Sequence, residues 1–140
     1  NYDFIFIDCP TTLNLLTLNA LCFSTKVIIP VQTHYYALEG MKELFRTISA
    51  IQDQFNPQLD VLGILATLFD KRIQIAVDML EALREYFKSQ MFQAVIHNNV
   101  KLIEAPMVQK PVVSYAPNSS AAQDFRLLAQ EVVGLVTKTD

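Results

Sequence analysis

The sequence is poor in glycine and has no long uncharged apolar run. Its 140 residues include only three glycines and contain no low-complexity tract or internal repeat, so no linker or second domain is indicated. No stretch approaches the roughly 18 apolar residues of a transmembrane helix, and the first residues lack the basic segment and cleavage site of a signal peptide. These absences predict a cytoplasmic protein with a single domain over residues 1–140 and no membrane contact.

Cysteine and positive charge are also scarce. Cys9 and Cys22 lack the spacing of metal ligands, and both are interpreted as reduced thiols that fill the interior. The formal net charge of -3 and the pI of about 5.3 exclude a globally basic nucleic-acid-binding protein, so any contact with nucleic acid is confined to a local patch. The hydrophobic fraction of 51% is enough for a real core.

The chain also lacks an initiator methionine. Its opening stretch, YDFIFIDCPTT, begins with residues typical of a buried strand, which is an unusual natural start. The sequence is therefore expected to be a fragment of a longer protein.

What the sequence does contain is a series of short apolar runs rich in β-favouring residues. Such runs are typical of strands that are covered on both faces in a parallel sheet. The predicted strands are Phe4–Ile7, Val27–Val31, Val61–Leu65, Ala94–Ile96 and Val112–Val113.

Helical patterns separate these runs. Residues 13–21, 38–55 and 73–87 carry apolar side chains at helical intervals. A last helix is predicted from Ser120, whose hydroxyl is expected to accept from the Gln123 N–H. Strands that alternate with helices predict an α/β fold, with a mainly parallel sheet flanked by helices.

One carboxylate is notable for its place at the end of the first predicted strand. In open parallel sheets, ligands bind outside the carboxyl ends of the strands, where Asp8 is expected to lie. An oxygen ligand there suits Mg²⁺, bound directly or through water, and the helix that follows the Cys9–Thr12 turn favours an anion at its N-terminus. The alternative, that Asp8 only forms the turn or caps the helix, stays open from the residues alone.

Three spaced segments carry a resemblance to a known family. They are YDFIFIDCPTTLNLLTLNAL, VIIPVQTHYYALEG, and NNVKLIEAP followed by KPVVSY. In this order they resemble segments of the ParA/Soj family of chromosome- and plasmid-partitioning ATPases, within the MinD-like group, and the resemblance runs from end to end of the chain. It implies part of a P-loop NTPase fold of Rossmann-like type, in which Asp8 matches the Mg²⁺-binding acid that ends the Walker B strand.

The resemblance also implies contacts with a nucleotide. Asp8, Pro10 and Thr11 match the turn beside the phosphates of ATP. Asn99 and Pro106, in the expected loop NNVKLIEAP, match the region that packs against or hydrogen-bonds the base. Thr11 stands in place of the second proline of the family form DCPPSL, so the response of this turn to the γ-phosphate is open.

The phosphate-binding loop of the family is missing, because no G-x-x-x-x-G-K-[ST] motif occurs in the chain. Phosphoryl transfer depends on positioning and electrostatic stabilisation, so the chain alone is not expected to hydrolyse ATP. In the family this loop lies N-terminal to the stretch matched here. The intact parent protein is expected to bind ATP and Mg²⁺ and to be an ATPase.

Family members bind DNA without sequence preference, through phosphate contacts made by arginine and lysine. Arg72 and Lys101 match basic positions of the family, and Lys71 adds a neighbouring charge. Asn98 stands where a further arginine is common, which thins the predicted patch. The segment YYALEG, at residues 35–40, resembles a region near the family's dimer interface.

The resemblance therefore implies a nucleoid-associated homodimer that binds DNA non-specifically and is regulated by a ParB/Spo0J-like partner. Two alternatives stay open. One is a non-catalytic DNA-binding or interaction module, a relative without the phosphate loop. The other is a MinD-type membrane regulator, which needs a basic amphipathic C-terminal helix, whereas the tail GLVTKTD has only Lys138 and no such face.

Overall fold

The computed structural model describes residues 2–34 and 37–137, in which three strands alternate with helices. The strands are β1 (Lys26–Gln32), β2 (Asp60–Phe69) and β3 (Met91–His97). The α-helices are α1 (Leu15–Phe23), α2 (Ala37–Gln54), α3 (Gln74–Phe87), α4 (Val100–Met107), α5 (Val112–Tyr115) and α6 (Ser120–Val136), and a short 3₁₀ turn covers Lys88–Gln90.

Most predicted elements are confirmed. The predicted strands at Val27–Val31, Val61–Leu65 and Ala94–Ile96 lie inside β1, β2 and β3, and the four predicted helices correspond to α1, α2, α3 and α6. The predicted α/β fold, with a mainly parallel sheet flanked by helices, is confirmed. None of the helices in the described ranges combines the length and the hydropathy of a membrane span.

The three strands form one sheet in the order β1-β2-β3, and β2 runs parallel to β3. The pairing of β2 with β3 is irregular at two places. The paired residues are Ile64 with Met91, Ala66 with Val95, and Phe69 with His97.

At these places the two strands advance by unequal numbers of residues, as they do at a β-bulge. From the first pair to the second, β3 advances by four residues (91 to 95) while β2 advances by two (64 to 66). From the second pair to the third, β2 advances by three residues (66 to 69) and β3 by two (95 to 97), and Leu68 there has a φ of 52°. A bulge kinks its strand and re-aims the side chains that follow. The end of β2 therefore departs from regular alternation.

The prediction of a first strand at Phe4–Ile7 is wrong for the described structure. The segment forms no β-ladder with any strand in residues 2–34 and 37–137, and Ile5 and Phe6 are 71% and 76% exposed. A β-strand needs hydrogen bonds to a neighbouring strand. An apolar run indicates that a segment is to be buried, but it does not provide that neighbour. The rings of Phe4 and Phe6 instead lie in a stacked orientation, with centroids 6.4 Å apart.

The last predicted strand, at Val112–Val113, is also wrong, because these residues begin the one-turn helix α5. Pro111 precedes them with a φ of -60°, the value that its ring fixes. Its carbonyl accepts from the N–H groups of Ser114 and Tyr115 at 3.0 and 2.8 Å. The proline thus starts a helical turn, and the β propensity of two valines is too weak to oppose it.

The N-cap of α6 lies one residue before the predicted one. Ser119 caps the helix, and its Oγ accepts from the Ala122 N–H at 3.1 Å. The hydroxyl of Ser120 instead accepts from the side-chain amide of Asn99 at 3.0 Å. Two adjacent serines offer the same cap chemistry, so the sequence pattern does not distinguish them.

The described residues form two compact units, of which the first comprises the described parts of residues 1–27 and 38–60. It holds α1 and nearly all of α2. The Asn56 side chain donates to the carbonyls of Leu21 and Ser24 at 3.0 and 2.7 Å, which ties the chain after α2 to the end of α1. Lys26 Nζ and Asp60 Oδ2 form an ion pair at 2.7 Å in the same unit.

The second unit comprises the described parts of residues 28–37 and 61–140, and its core lies between the sheet and α6. Four side chains, Leu65, Phe92, Ile96 and Val132, are buried together there. Helix α6 packs along β3, so its apolar face closes this core. The partly buried side chains around the cluster are Ile28, Leu62, Leu102, Leu128 and Val136.

Helix α6 also satisfies backbone groups of β3, the last strand in the sheet order. Oε1 and Oε2 of Glu131 accept from the N–H groups of Gln93 and Ala94 at 2.8 and 2.9 Å. Oδ2 of Asp124 accepts from the His97 N–H at 3.0 Å. Without these carboxylates, the N–H groups would lie on an open sheet edge.

Helix α4 ends in a left-handed residue of a kind that favours glycine. Gln109 has a φ of 53°, its N–H donates to the Pro106 carbonyl, and the Lys110 N–H donates to the Ala105 carbonyl. These are the two hydrogen bonds of a Schellman motif. Glycine adopts this backbone conformation without the steric penalty of a Cβ atom.

Gln109→Gly is therefore expected to raise the free energy of unfolding by roughly 0.5–1 kcal/mol, as measured by urea denaturation. The matched control is Gln123→Gly, at an exposed interior position of α6, which is expected to lower the same free energy by about 1 kcal/mol. A loss of stability at both positions contradicts the strain assigned to Gln109.

Candidate functional site

In the first unit, the segment after Ile7 turns into the N-terminus of α1. Asn14 caps this helix, because its Oδ1 accepts from the N–H groups of Leu16 and Thr17 at 3.0 and 3.2 Å. The Thr17 hydroxyl donates back to the Thr12 carbonyl at 2.8 Å. The Thr12 hydroxyl accepts from Asn14 Nδ2 at 3.2 Å and does not cap the helix itself. The turn is thus tied to the first turn of α1.

Asp8, Pro10 and Thr11 are all exposed in this turn. Among the described residues, Asp8 has no ion-pair partner, and no group of three or more His, Cys, Asp or Glu side chains is placed to hold a metal ion. One exposed carboxylate fits Mg²⁺ as a single ligand among waters and phosphate oxygens, which is the usual way in which proteins bind Mg²⁺. Asp8 therefore suits a metal–nucleotide complex better than a metal ion held by the chain alone.

In the second unit, the carboxyl ends of β2 and β3 lie side by side. The Asn98 N–H donates to the Phe69 carbonyl at 2.9 Å, directly beyond the last residue pair of the two strands. The loop at residues 70–73 and the start of α4 therefore lie next to each other at the carboxyl end of the sheet. The predicted site residues on this loop and on α4 with its cap are Lys71, Arg72, Asn99, Lys101 and Pro106.

Arg72 is bound to Asp70, the first residue after β2. Its Nε lies 2.9 and 3.2 Å from the two carboxylate oxygens, and its Nη2 lies 2.6 Å from Oδ2. The side-chain hydrogen bond from Arg72 lowers the pKa of Asp70 to about 2, and the same interaction raises the pKa of Arg72. Lys71 is exposed and forms no ion pair with the described residues.

The segment NNVKLIEAP, which was expected to be a loop, is mostly helical. Asn99 is the N-cap of α4, with its Oδ1 accepting from the Lys101 N–H at 2.9 Å and its Nδ2 donating to Ser120 Oγ at 3.0 Å. A capping asparagine two residues after the end of β3 favours the start of a helix there. Asn99 keeps one amide hydrogen and one carbonyl lone pair for a ligand. Pro106 lies exposed in the last turn of α4.

Lys101 belongs to a polar cluster that joins α4 to α5. Its Nζ lies 2.8 Å from Oε2 of Glu104, and the Tyr115 hydroxyl donates to the same oxygen at 2.9 Å. The hydrogen bond from Lys101 lowers the pKa of Glu104, and the carboxylate in turn raises the pKa values of Lys101 and Tyr115. Nζ also lies 5.8 Å from the centre of the Tyr115 ring, so the lysine is held from two sides.

Sequence reasoning missed a carboxylate–histidine pair at the end of β3. Asp124 is only 8% exposed, and its Oδ2 lies 3.0 Å from His97 Nδ1 as well as from the His97 N–H nitrogen. The Phe69 ring meets the His97 ring edge-on, with centroids 5.5 Å apart. An acid among the small apolar residues at the start of α6 is the one sequence signal for this pair.

The predicted dimer segment is described only in part. Tyr35 and Tyr36 lie outside the described residues. Leu38, Glu39 and Gly40 lie at the start of α2, where Leu38 is partly buried and the other two residues are exposed.

Two solved structures share the architecture of this chain. The cell division ATPase MinD of Pyrococcus furiosus aligns with a TM-score of 0.73 over 96% of this chain and 53% of its own, at 24% identity. Cobyrinic acid a,c-diamide synthase of Mycobacterium smegmatis, with bound ADP and magnesium, aligns with a TM-score of 0.59 over 66% of this chain and 38% of its own, at 35% identity. The chain thus has the MinD-like fold of P-loop NTPases.

Sequence relatives define a narrower group. A family model described as an AAA domain matches residues 1–61. The sporulation initiation inhibitor protein Soj of Bacillus subtilis is 44% identical over 132 residues, which cover 94% of this chain and 52% of Soj. The chromosome partitioning protein ParA of Myxococcus xanthus is also 44% identical, over 94% of this chain and 47% of its own length.

The chain belongs to the ParA/Soj family of chromosome-partitioning ATPases, and the predicted family is confirmed. The chain spans about half the length of the curated relatives it matches.

Proposed function

We propose that the complete protein is a partitioning ATPase of the ParA/Soj type. It binds ATP and Mg²⁺, forms a homodimer in the cytoplasm on the nucleoid, and binds DNA non-specifically under the control of a ParB-like partner. The observation that carries this proposal is the 44% identity, over 94% of this chain, with proteins named for sporulation initiation and for chromosome partitioning.

The nucleotide part of the proposal rests on the chemistry of two segments. Asp8 is the Mg²⁺ ligand, directly or through water, and Pro10 and Thr11 lie beside the phosphates. The metal supplies neutralising charge to those phosphates when bound. Asn99 meets the base with its remaining amide hydrogen and lone pair, and Pro106 offers exposed apolar surface next to it. A similar solved structure with bound ADP and magnesium supports the proposal that the complete protein binds a nucleotide and Mg²⁺.

The DNA part of the proposal rests on the basic residues that lie beyond the carboxyl ends of β2 and β3. Lys71 and Arg72 lie on the loop after β2, and Lys101 lies in the first turn of α4. The hydrogen bond between Asn98 and Phe69 keeps these two segments adjacent. Exposed charges act over about one Debye length, roughly 8 Å at physiological ionic strength, so a local group of cations binds phosphates despite the net charge of -3.

The DNA assignment predicts a measurable loss in the complete gene product. Arg72→Ala combined with Lys101→Ala is expected to weaken binding to a random-sequence duplex roughly tenfold or more at low salt, and to reduce the slope of log affinity against log salt by about two. Fluorescence anisotropy across a salt series measures both quantities. Each lost phosphate contact accounts for about one unit of slope.

The matched control is Arg84→Ala, which removes an exposed arginine near the opposite end of α3 and is expected to leave DNA affinity unchanged. If affinity and salt slope stay at parental values in the double variant, the DNA assignment is wrong.

A second substitution tests the nucleotide part of the proposal. The complete gene product is expected to hydrolyse ATP, and Asp8→Ala is expected to abolish this hydrolysis. DNA binding without any ATP binding instead identifies a non-catalytic module.

A further inference from the structure

We propose that Asp70 restrains the contact between Arg72 and DNA by competing with phosphate for the guanidinium group. The inference rests on the proposed DNA contact at Arg72 and adds an inhibitory residue to it. The carboxylate belongs to the same loop as the cation, so the restraint is built into the fold.

The geometry of the pair defines what a phosphate meets. Asp70 occupies the side of the guanidinium that carries Nε and Nη2, at distances from 2.6 to 3.2 Å. A guanidinium has five N–H donors, and this arrangement leaves the two on Nη1 and one on Nη2. A phosphate therefore binds the remaining end while the carboxylate stays close behind it, or it displaces the carboxylate. Both routes are less favourable than binding to a free arginine.

Asp70 is the anchored member of the pair. Its side chain is 13% exposed, whereas that of Arg72 is 83% exposed. Asp70 Oδ1 also accepts from the Arg72 backbone N–H at 3.0 Å, and the Asp70 carbonyl accepts from the Ile73 N–H at 3.0 Å. The preceding Phe69 is bonded to Asn98 across the sheet edge. The carboxylate is thus held by several contacts, and the exposed guanidinium is bonded to it.

The same arrangement recurs at the second predicted DNA contact. Lys101 Nζ is bonded to Glu104, and the Tyr115 hydroxyl holds the same carboxylate oxygen. Two of the three predicted contacts therefore carry an anion of the chain itself, and Lys71 alone of the three forms no ion pair within the described residues. The same competition with phosphate therefore applies at both of these cations.

The test is a double-mutant cycle on the complete gene product, with anisotropy of a labelled random-sequence duplex at low salt as the readout. Asp70→Asn is expected to raise the association constant roughly threefold to tenfold, because it removes one unit charge a few ångströms from the bound phosphate. In the Arg72→Ala background, the same substitution is expected to change the constant less than twofold, roughly within the error of additivity. The rise at Asp70 also shrinks as salt increases.

The control for general surface charge is Asp78→Asn, since Asp78 is exposed and bonded to the uncharged amide of Gln74. It is expected to leave the affinity unchanged. The Asp70→Asn side chain keeps an Oδ1 acceptor for the Arg72 N–H, and a thermal melt verifies that the turn and fold persist. A second cycle with Glu104→Gln and Lys101→Ala repeats the measurement at the other pair.

The possible outcomes distinguish the restraint by Asp70 from the proposed DNA contact on which it rests. An equal rise from Asp70→Asn with and without Arg72 overturns the restraint, since Asp70 then acts only as bulk charge. A fall in affinity, or no rise at either pair while Arg72→Ala still weakens binding, overturns it too and leaves the DNA contact standing. An Arg72→Ala variant with parental affinity contradicts the DNA contact itself.

Discussion

Phe92→Ala is expected to lower the free energy of unfolding by about 3–5 kcal/mol, because it removes a ring from the centre of the core. Phe92 is only 1% exposed and packs with Leu65, Ile96 and Val132 between the sheet and α6. The substitution loses the transfer energy of the ring and leaves a cavity that the surrounding strands fill only partly. Urea denaturation followed by circular dichroism measures the loss.

The same ring leaves no room for a Cβ atom at Gly63 unless the ring shifts. A Cβ atom on Gly63 would lie 2.6 Å from Phe92 Cε2, so Gly63→Ala is expected to lower the free energy of unfolding by about 1–3 kcal/mol. The matched control is Gly134→Ala in α6, where a Cβ meets nothing within 4 Å and a gain of up to about 1 kcal/mol is expected.

Combining Gly63→Ala with Phe92→Leu tests the contact directly. The smaller side chain leaves room for the methyl group, so the double variant is expected to be more stable than the sum of the two single losses predicts, with a coupling of about 0.5–3 kcal/mol. Strict additivity of the two losses contradicts the packing of Phe92 against Gly63.

Glu131→Ala is the second substitution with a large expected effect. It leaves the Gln93 and Ala94 N–H groups without their acceptor, and hydrogen bonds to a charged group contribute about 1.5–3 kcal/mol each. Because water partly replaces the acceptor at the exposed Gln93, a total loss of about 2–4 kcal/mol is expected. Opening the edge of β3 is also expected to cause self-association. Denaturation at several protein concentrations and light scattering measure the two effects.

Two controls accompany this variant. Glu131→Gln keeps one oxygen acceptor and is expected to lose roughly half as much stability. Glu85→Ala, at an exposed position of α3, is expected to change stability by less than about 0.5 kcal/mol. If Glu131→Ala matches Glu85→Ala in stability and stays monomeric at every concentration, the carboxylate does not protect the edge.

The sequence predicts an element well when its hydrophobic pattern matches the neighbouring elements that the fold provides. Val61–Leu65 reads as a buried strand, and the structure supplies β1 and β3 on its two sides. Phe4–Ile7 has the same pattern, yet no described strand pairs with it, because hydrogen-bonded neighbours are a property of the whole sheet. At Val112 the local effect of Pro111 decides the backbone.

The candidate site is predictable only where a residue type signals its own chemistry. In the sequence, Asp8 is recognisable as a carboxylate after an apolar run, and Arg72 as a cation before a helix. Glu131 is not, since its partners lie 37 and 38 positions earlier in the sequence. The Asp70 carboxylate is closer, two residues from Arg72, but it meets the cation only because the loop turns back on itself.

Because Leu68 has a left-handed backbone conformation, the path of β2 depends on its number of residues as well as on their types. Deleting one residue there would let the two strands advance evenly between the paired positions, but it would also remove the kink before Phe69. Asp70 and Arg72 would then leave the strand in a different direction. Insertions and deletions at this point are therefore expected to be far less tolerable than most substitutions.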